Sequence, residues 1–277
     1  MNYRHAYHAG NFADVFKHVL LTRILLYLMR KDAPLRYLET HGGIGLYDLS
    51  SEEAQKTGEW RDGIGRLQDA QMSAAVAELL APYLQLTQAF EGRYPGSPLI
   101  AKSLLRAQDR MTICELHPHD ERRLVKNMGR DQRCKVLAMD GYQGLKAGVP
   151  PVERRGLVLI DPPFEARDEF ITLAKAVEQA HAKWATGCFA IWYPLKATPD
   201  VDAFRAQMSK GDIRRVLCIE LQVDHLQSEG ALKGCGLIVI NPPFPLEAEA
   251  QQLLPVLMSV LSQGQGAAWR VEWLVAE

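Results

Sequence analysis

The chain has 277 residues, 47% hydrophobic and 23% charged, with a formal net charge of −1. That composition builds one large α/β domain with ease, and it excludes a global attraction to nucleic acid or to an anionic membrane, so an anionic partner must be met by a local basic patch. The N-terminus lacks the apolar core of a signal peptide, no apolar run approaches the roughly 18 residues that span a bilayer, and the five cysteines form no CxxC pair, which together predict reduced, buried thiols in a cytoplasmic protein.

Apolar residues recur at helical spacing over 11–31, from Phe12, Val15 and Phe16 to Ile24 and Leu28, with Asn11 placed to cap the helix. Residues 36–40 predict a short strand, followed by the glycine turn His41-Gly42-Gly43-Ile44-Gly45. Residues 51–91 contain few β-branched residues and read as helical, closed by turn chemistry at 93–98. An alternation then resumes, with strands at 111–115, 135–140, 156–161 and 187–194 and helices at 118–129, 166–182 and 200–209. Segments 214–223 and 234–241 read as paired strands, 246–262 as a helix, and 269–275 as an alternating edge strand. The expected fold is α/β, a doubly wound, mostly parallel sheet with an antiparallel element at one edge. It forms a single domain over 1–277, with a small helical subdomain inserted at 48–96 between the first and second strands.

In an open parallel sheet, ligands sit beyond the carboxyl ends of the strands. The residues found there are, in chain order, the glycine turn, Glu115, Asp140-Gly141 and Asp161-Pro162-Pro163-Phe164. Glycines let backbone approach a ligand, a carboxylate after the second strand can take both hydroxyl protons of a ribose, and one after the third can accept from an adenine amino group. An acid at a strand end is often just a wet loop residue. The ordered set points to one crevice.

Paired prolines stop a strand and stiffen the turn, aiming the Asp161 carboxylate and the Pro162 carbonyl at the pocket. Two acceptors match the two N–H donors of an exocyclic amine, and Phe164 offers a face for a flipped base. Holding both protons frees the nitrogen lone pair for attack, and Asp161 is the nearest acceptor for the proton released. An activated methyl suits such a nucleophile. S-adenosyl-L-methionine carries one, with ribose and adenine handles that match Glu115 and Asp140.

The Asp-Pro-Pro-Phe turn resembles that of the class I, Rossmann-like S-adenosylmethionine-dependent amino-methyltransferases. With residues 3–18, 38–49, 94–98 and 161–165, the chain resembles the bacterial 23S ribosomal RNA adenine-N6 methyltransferase J family across most of its length, the stretch from His8 to His18 being the most distinctive. The resemblance implies that His18, His41, Ser97, Glu115, Asp140, Gly141 and Asp161 hold the cofactor, that Asp161 is catalytic, and that Tyr3, His5, Lys17 and Phe164 meet the RNA. Phe164 stands where adenine-N6 enzymes commonly have tyrosine. The expected partner is 23S ribosomal RNA, free of protein or in an early assembly intermediate, acted on by a monomer without metal or membrane.

Rival readings attach to several features. DNA adenine or a protein glutamine amide would fit a similar turn, and a Rossmann-like protein could bind S-adenosylmethionine or a dinucleotide without transferring methyl, although GxGxxG is missing. His5 and His8 have helical metal-ligand spacing, but no nearby carboxylate or cysteine completes a standard set. The basic stretch 121–135 reads first as a solvated helix face. A second string, Asn241-Pro242-Pro243-Phe244, copies the first in composition; it lies two strands further on, outside the expected crevice, and reads as a turn launching the last helix.

Overall fold

The computed structural model describes residues 4–210, 212–227 and 229–276. A single helical turn (His5–Tyr7) leads into helix α1 (Phe12–Leu28) and strand β1 (Arg36–Glu39). Between β1 and the next strand of the main sheet come β2 (Leu46–Asp48), α2 (Glu52–Thr57), a π-turn (Arg61–Gly65), α3 (Arg66–Gln68), α4 (Ala74–Gln88), β3 (Arg93–Pro95) and α5 (Ser97–Leu104). The alternation then runs β4 (Arg110–Cys114), α6 (Pro118–Met128), β5 (Cys134–Leu137), α7 (Gly141–Gly148), β6 (Gly156–Ile160), α8 (Glu169–Lys183), β7 (Cys188–Pro194) and α9 (Pro199–Met208). It closes with β8 (Val216–Gln222), β9 (Gly234–Ile240), α10 (Leu246–Leu261) and β10 (Ala268–Val275).

The main sheet has the order β10-β8-β9-β7-β6-β1-β4-β5. Neighbours from β5 to β7 pair in parallel, β9 runs antiparallel between β7 and β8, and β10 is the antiparallel edge. Alternate side chains serve two cores, as a pleated strand requires. Tyr37, Leu157 and Leu159 face α1, α4, α5 and α10, while Leu38, Val158 and Ile160 face α7, α8 and α9. Strands covered on both sides read as unbroken apolar runs, and all five residues of β6 are buried.

Helix α1 is buried on nearly every side, Asp14, Lys17 and His18 included. Asn11 caps it, its side-chain oxygen accepting from the backbone N–H of Ala13 and Asp14 at 3.0 Å. The stretch expected to be helical over 51–91 is broken at Gly58 and again at the π-turn. Residues 93–95, expected to belong to a turn, pair instead with the unassigned residues 46–48 as a two-stranded ribbon with Tyr47 opposite Tyr94. Helices α5 and α7 were not legible in the pattern either; each has eight residues, too few to show two full periods. Leu67, Leu80, Tyr83 and Tyr94 from the segment between β1 and β4 share one core with α1. All five cysteines are free, and all but Cys134 are buried. Among the described residues, no helix is long and apolar enough to cross a membrane.

Candidate active site

A cavity of about 540 Å³ opens where β1, β4, β6 and β7 end. The glycine turn, Glu115 and Asp161 through Phe164 line it, joined by Asp14, Lys17 and His18 of α1 and by Ser97 at the start of α5. The sheet delivers the strand-end residues by its parallel topology. Helix α1 crosses the same end of the sheet and adds charge from a second direction.

Asp161 follows β6 and is mostly covered. Its Oδ2 accepts from Lys17 Nζ at 2.5 Å, and Oδ1 has no partner among the described residues. Lys17 Nζ also lies 3.2 Å from Asp14 Oδ1, three residues earlier on the helix. Asp14 Oδ2 in turn accepts from the backbone N–H of Gly10 at 2.9 Å and lies 2.8 Å from His5 Nε2. Burial alone would push the Asp14 carboxyl up; the pull of His5, Lys17 and His18 outweighs it and holds the group well below the usual carboxylate range.

His18 Nδ1 sits 2.7 Å from the Tyr94 hydroxyl, which is itself 2.9 Å from the hydroxyl of Tyr83. Burial pushes the His18 imidazole down to about 3, so the ring is neutral, and its buried Nε2 has no hydrogen-bond partner among the described residues. Burial likewise lowers His41 to about 4, against the attraction of Asp161 and Asp140. Ser97 Oγ donates to Oε1 of Glu39, and the Tyr37 hydroxyl donates to Oε2 at 2.8 Å. Glu115 accepts from the backbone N–H of Gly43 and of His117, each at 2.8 Å, which spends one lone pair on each oxygen and leaves another free. Burial nonetheless raises its pKa. A side chain at Gly42 would put its Cβ 2.4 Å from Ile113 Cγ2, and Gly43 has φ +58°, so the cradle is closed to larger residues.

Phe164 lies at the cavity wall, its ring centroid 4.8 Å from that of Phe170 and 5.9 Å from that of Trp192. The family model described as "Ribosomal RNA large subunit methyltransferase D, RlmJ" matches residues 32–275. The chain belongs to this family. Two relatives described as ribosomal RNA large subunit methyltransferase J align over the whole of both chains, at 41% identity for Haemophilus influenzae and 40% for Escherichia coli K12. The crystal structure of protein LPL1258 from Legionella pneumophila is similar at 36% identity and a TM-score of 0.87, covering 96% of this chain and 98% of that one. A probable spermidine synthase from Corynebacterium glutamicum, at 13% identity and a TM-score of 0.51, shares the fold over 92% of this chain and 74% of its own.

In this RlmJ family member the structure brings together most of the residues singled out in the sequence. His5, Lys17, His18, His41, Ser97, Glu115, Asp161 and Phe164 all line the one cavity. Asp140 and Gly141 stand apart from its lining. Asp140 caps α7, accepting from the backbone N–H of Gln143 at 2.9 Å, and a Cβ at Gly141 would lie 2.3 Å from the Thr40 carbonyl oxygen, so that pair fixes how α7 approaches the first strand. Tyr3 lies outside the described residues. The histidines with metal-ligand spacing part company: His5 takes Asp14, and His8 Nδ1 lies 2.9 Å from Glu59 Oε1. His117, His119 and Asp120 do place ligand atoms within 4.8 Å of one another. That group sits at the start of α6, where the positive end of the helix dipole disfavours a cation.

The second proline string is separated from the site by chain direction. Ile240 pairs with Phe189 near the beginning of β7, so Asn241 emerges at the opposite end of the sheet from Asp161. Its side-chain N–H groups donate to the carbonyls of Ala185 and Gly187 at 2.8 Å, and Phe244 is 87% exposed. The backbone differs too, with positive φ at Asn241 in one string and at Phe164 in the other.

Three carboxylates escaped the sequence reading: Asp14, Glu39 and Glu59. Asp14 had a visible signal, standing three residues before Lys17 and four before His18 on one helical face. Glu39 is fully buried, and that burial lifts its carboxyl to about 7 despite the Ser97 and Tyr37 hydroxyls. A carboxyl raised on folding contributes stability that is complete below its unfolded pKa and is lost as pH climbs through the folded one. The Glu39→Gln variant removes that dependence. Its melting temperature is expected to gain on the wild type between pH 5 and pH 8, by the equivalent of up to ~3 kcal/mol. Parallel pH curves for the two proteins would show that Glu39 does not titrate there.

Proposed function

We propose that this protein transfers a methyl group from S-adenosyl-L-methionine to the exocyclic N6 of an adenine in 23S ribosomal RNA. The observation that carries this reading is Asp161 Oδ1, which has no hydrogen-bond partner among the described residues and lies beside Pro162 in a cavity that His18, Ser97 and Glu115 also line. The residues fit the cofactor: His18 Nε2 is buried without a hydrogen bond among the described residues, Glu115 keeps free lone pairs, and the glycine turn lets backbone approach a ligand. His18, His41, Ser97 and Glu115 would hold it, with Asp140-Gly141 behind them. The bound cofactor supplies an electrophilic methyl group.

The chain's own residues act on the amine. Asp161 Oδ1 and the Pro162 carbonyl accept its two N–H groups and fix its orientation. Lys17 occupies Oδ2 and so points the other oxygen at the substrate. Phe164, braced by Phe170 and Trp192, gives the adenine a stacking face. After transfer the nitrogen sheds a proton, and Asp161 is the acceptor within reach. Tyr3, His5 and Lys17 meet the RNA from the N-terminal side. Residues 48–96 are read as an inserted subdomain of a single methyltransferase domain. The enzyme works in the cytoplasm as a monomer, on RNA that is free of protein or in an early assembly intermediate.

The test is to incubate the protein with methyl-labelled S-adenosylmethionine and unmodified, protein-free 23S RNA, then digest to nucleosides. Label is expected in N6-methyladenosine. None there would sink the reading; label in DNA or in a glutamine amide instead would change the substrate and keep the chemistry.

A further inference from the structure

We infer that the inserted stretch 57–65 is the anchor of the N-terminal segment 4–11, and that Glu59 is a positioning residue for RNA methylation. The second half rests on the function proposed above. One carboxylate of the insertion binds the segment twice: Glu59 Oε1 lies 2.9 Å from His8 Nδ1, and Oε2 accepts from Asn11 Nδ2 at 3.0 Å. On either side of it the backbone is tied down. Thr57 Oγ1 donates to the Tyr7 carbonyl, and the backbone N–H of Ile64 donates to the Gly10 carbonyl at 2.9 Å. The fit leaves no slack, since a Cβ at Gly63 would lie 2.0 Å from Gly10 O and 2.6 Å from the Asn11 carbonyl carbon. This is where the insertion departs from α-helical geometry: Gly63 has φ −106° and ψ −107° inside the π-turn.

The anchored residues are the ones that set up the reacting group. Asn11 caps α1, the first turns of α1 carry Asp14 and Lys17, His5 closes on Asp14, and Lys17 holds Asp161. Placing Glu59 therefore places, through Asn11, α1 and Lys17, the carboxylate that meets the substrate. Global stability does not account for the pair. The His8 and Glu59 side chains are 36% and 38% exposed, and an ion pair that open to water adds little to folding. What it adds is local order in a segment with little core of its own, for none of His5, Ala6 and Tyr7 is buried. His8, Asn11 and Glu59 all line the cavity, so the anchored segment forms its wall.

The experiment uses the full chain with Glu59→Gln, His8→Gln and the double variant. Michaelis constants for unmodified 23S RNA are measured from pH 6 to pH 8.5, with S-adenosylmethionine affinity by calorimetry and amide exchange of residues 5–10 by mass spectrometry. Each single variant is expected to raise KM for RNA about tenfold, with cofactor affinity within about twofold and the double no worse than the singles. Exchange over 5–10 is expected to quicken. His8 faces Glu59 and Asn11, with Asp14 and His5 behind and Arg4, Glu53 and Lys56 on the neighbouring turns; Glu59 raises its pKa by hydrogen bond and charge. Wild-type KM should accordingly climb as pH rises through that raised value, and the climb should begin at lower pH in Glu59→Gln. Unchanged exchange would overturn the anchor, whatever the substrate. Faster exchange with unchanged KM and pH profile, in a wild type that methylates RNA, would overturn the positioning role. A cofactor affinity falling in step with KM would show Glu59 to be merely structural. A wild type inactive on RNA, with exchange still quickened by Glu59→Gln, would leave the anchor standing and take down the substrate reading.

Discussion

Replacing Asp161 with alanine is expected to lower methyl transfer to RNA by a thousandfold or more, on the order of what acid-base and electrostatic groups together supply. S-adenosylmethionine should still bind within about threefold. The two effects separate if the proposed roles hold, because Asp161 follows β6 while His18, Ser97 and Glu115 reach the cavity from other elements. The fold should survive, since Lys17 keeps Asp14 at 3.2 Å as a partner when Asp161 is gone. Asp161→Asn sharpens the result: it keeps the shape, loses the proton acceptor, and should be nearly as inactive. Single-turnover rates with saturating cofactor measure this directly. Full activity in either variant would mean that the catalytic turn has been misassigned.

The reverse change, Lys17→Met, is expected to strike stability as well as rate. It leaves Asp14, only 1% exposed, with His5 and a backbone N–H but without its ammonium neighbour, and it strips Asp161 of the ion-pair partner it has among the described residues. Removing one member of a buried ion pair typically costs about 3–5 kcal/mol, equivalent here to a fall in melting temperature of roughly 6 °C or more. The loss should grow in acid. A carboxyl held low by its partners contributes stability that is present above its unfolded pKa and fades as pH falls through the folded one. Without Lys17 the Asp14 pKa climbs back, so the variant should begin to lose stability at higher pH than the wild type. Thermal melts from pH 3 to pH 7 test this, and superimposable curves would show that the lysine is not integral to the cluster.

How much of this was visible in the sequence depends on the kind of contact involved. The alternation of apolar runs and helical periods located β1 and every main-sheet strand after it, because each run is apolar or alternating within its own few residues. The position of Asp161 followed from strand order. The ribbon of β2 and β3 could not be read, since three-residue strands have no period and exist by pairing across the whole insertion. The link from Glu59 to His8 and Asn11 joins segments about fifty residues apart, and Ser97 meets Glu39 across a similar gap. No local pattern encodes such meetings. Asp140 shows a strand-end acid in the expected order whose one side-chain oxygen also caps the next helix, a task that strand order does not reveal.

The ion pair between Lys17 and Asp161 spans 144 residues of chain. Helix α1 is synthesised before any strand, yet its lysine has to wait for β6 before its strongest partner exists. Until then Asp14, on the same helix, is the neighbouring carboxylate 3.2 Å away, and contacts of such long separation form late. A chain halted before residue 161 would therefore hold the helix without the carboxylate that pairs with its buried lysine.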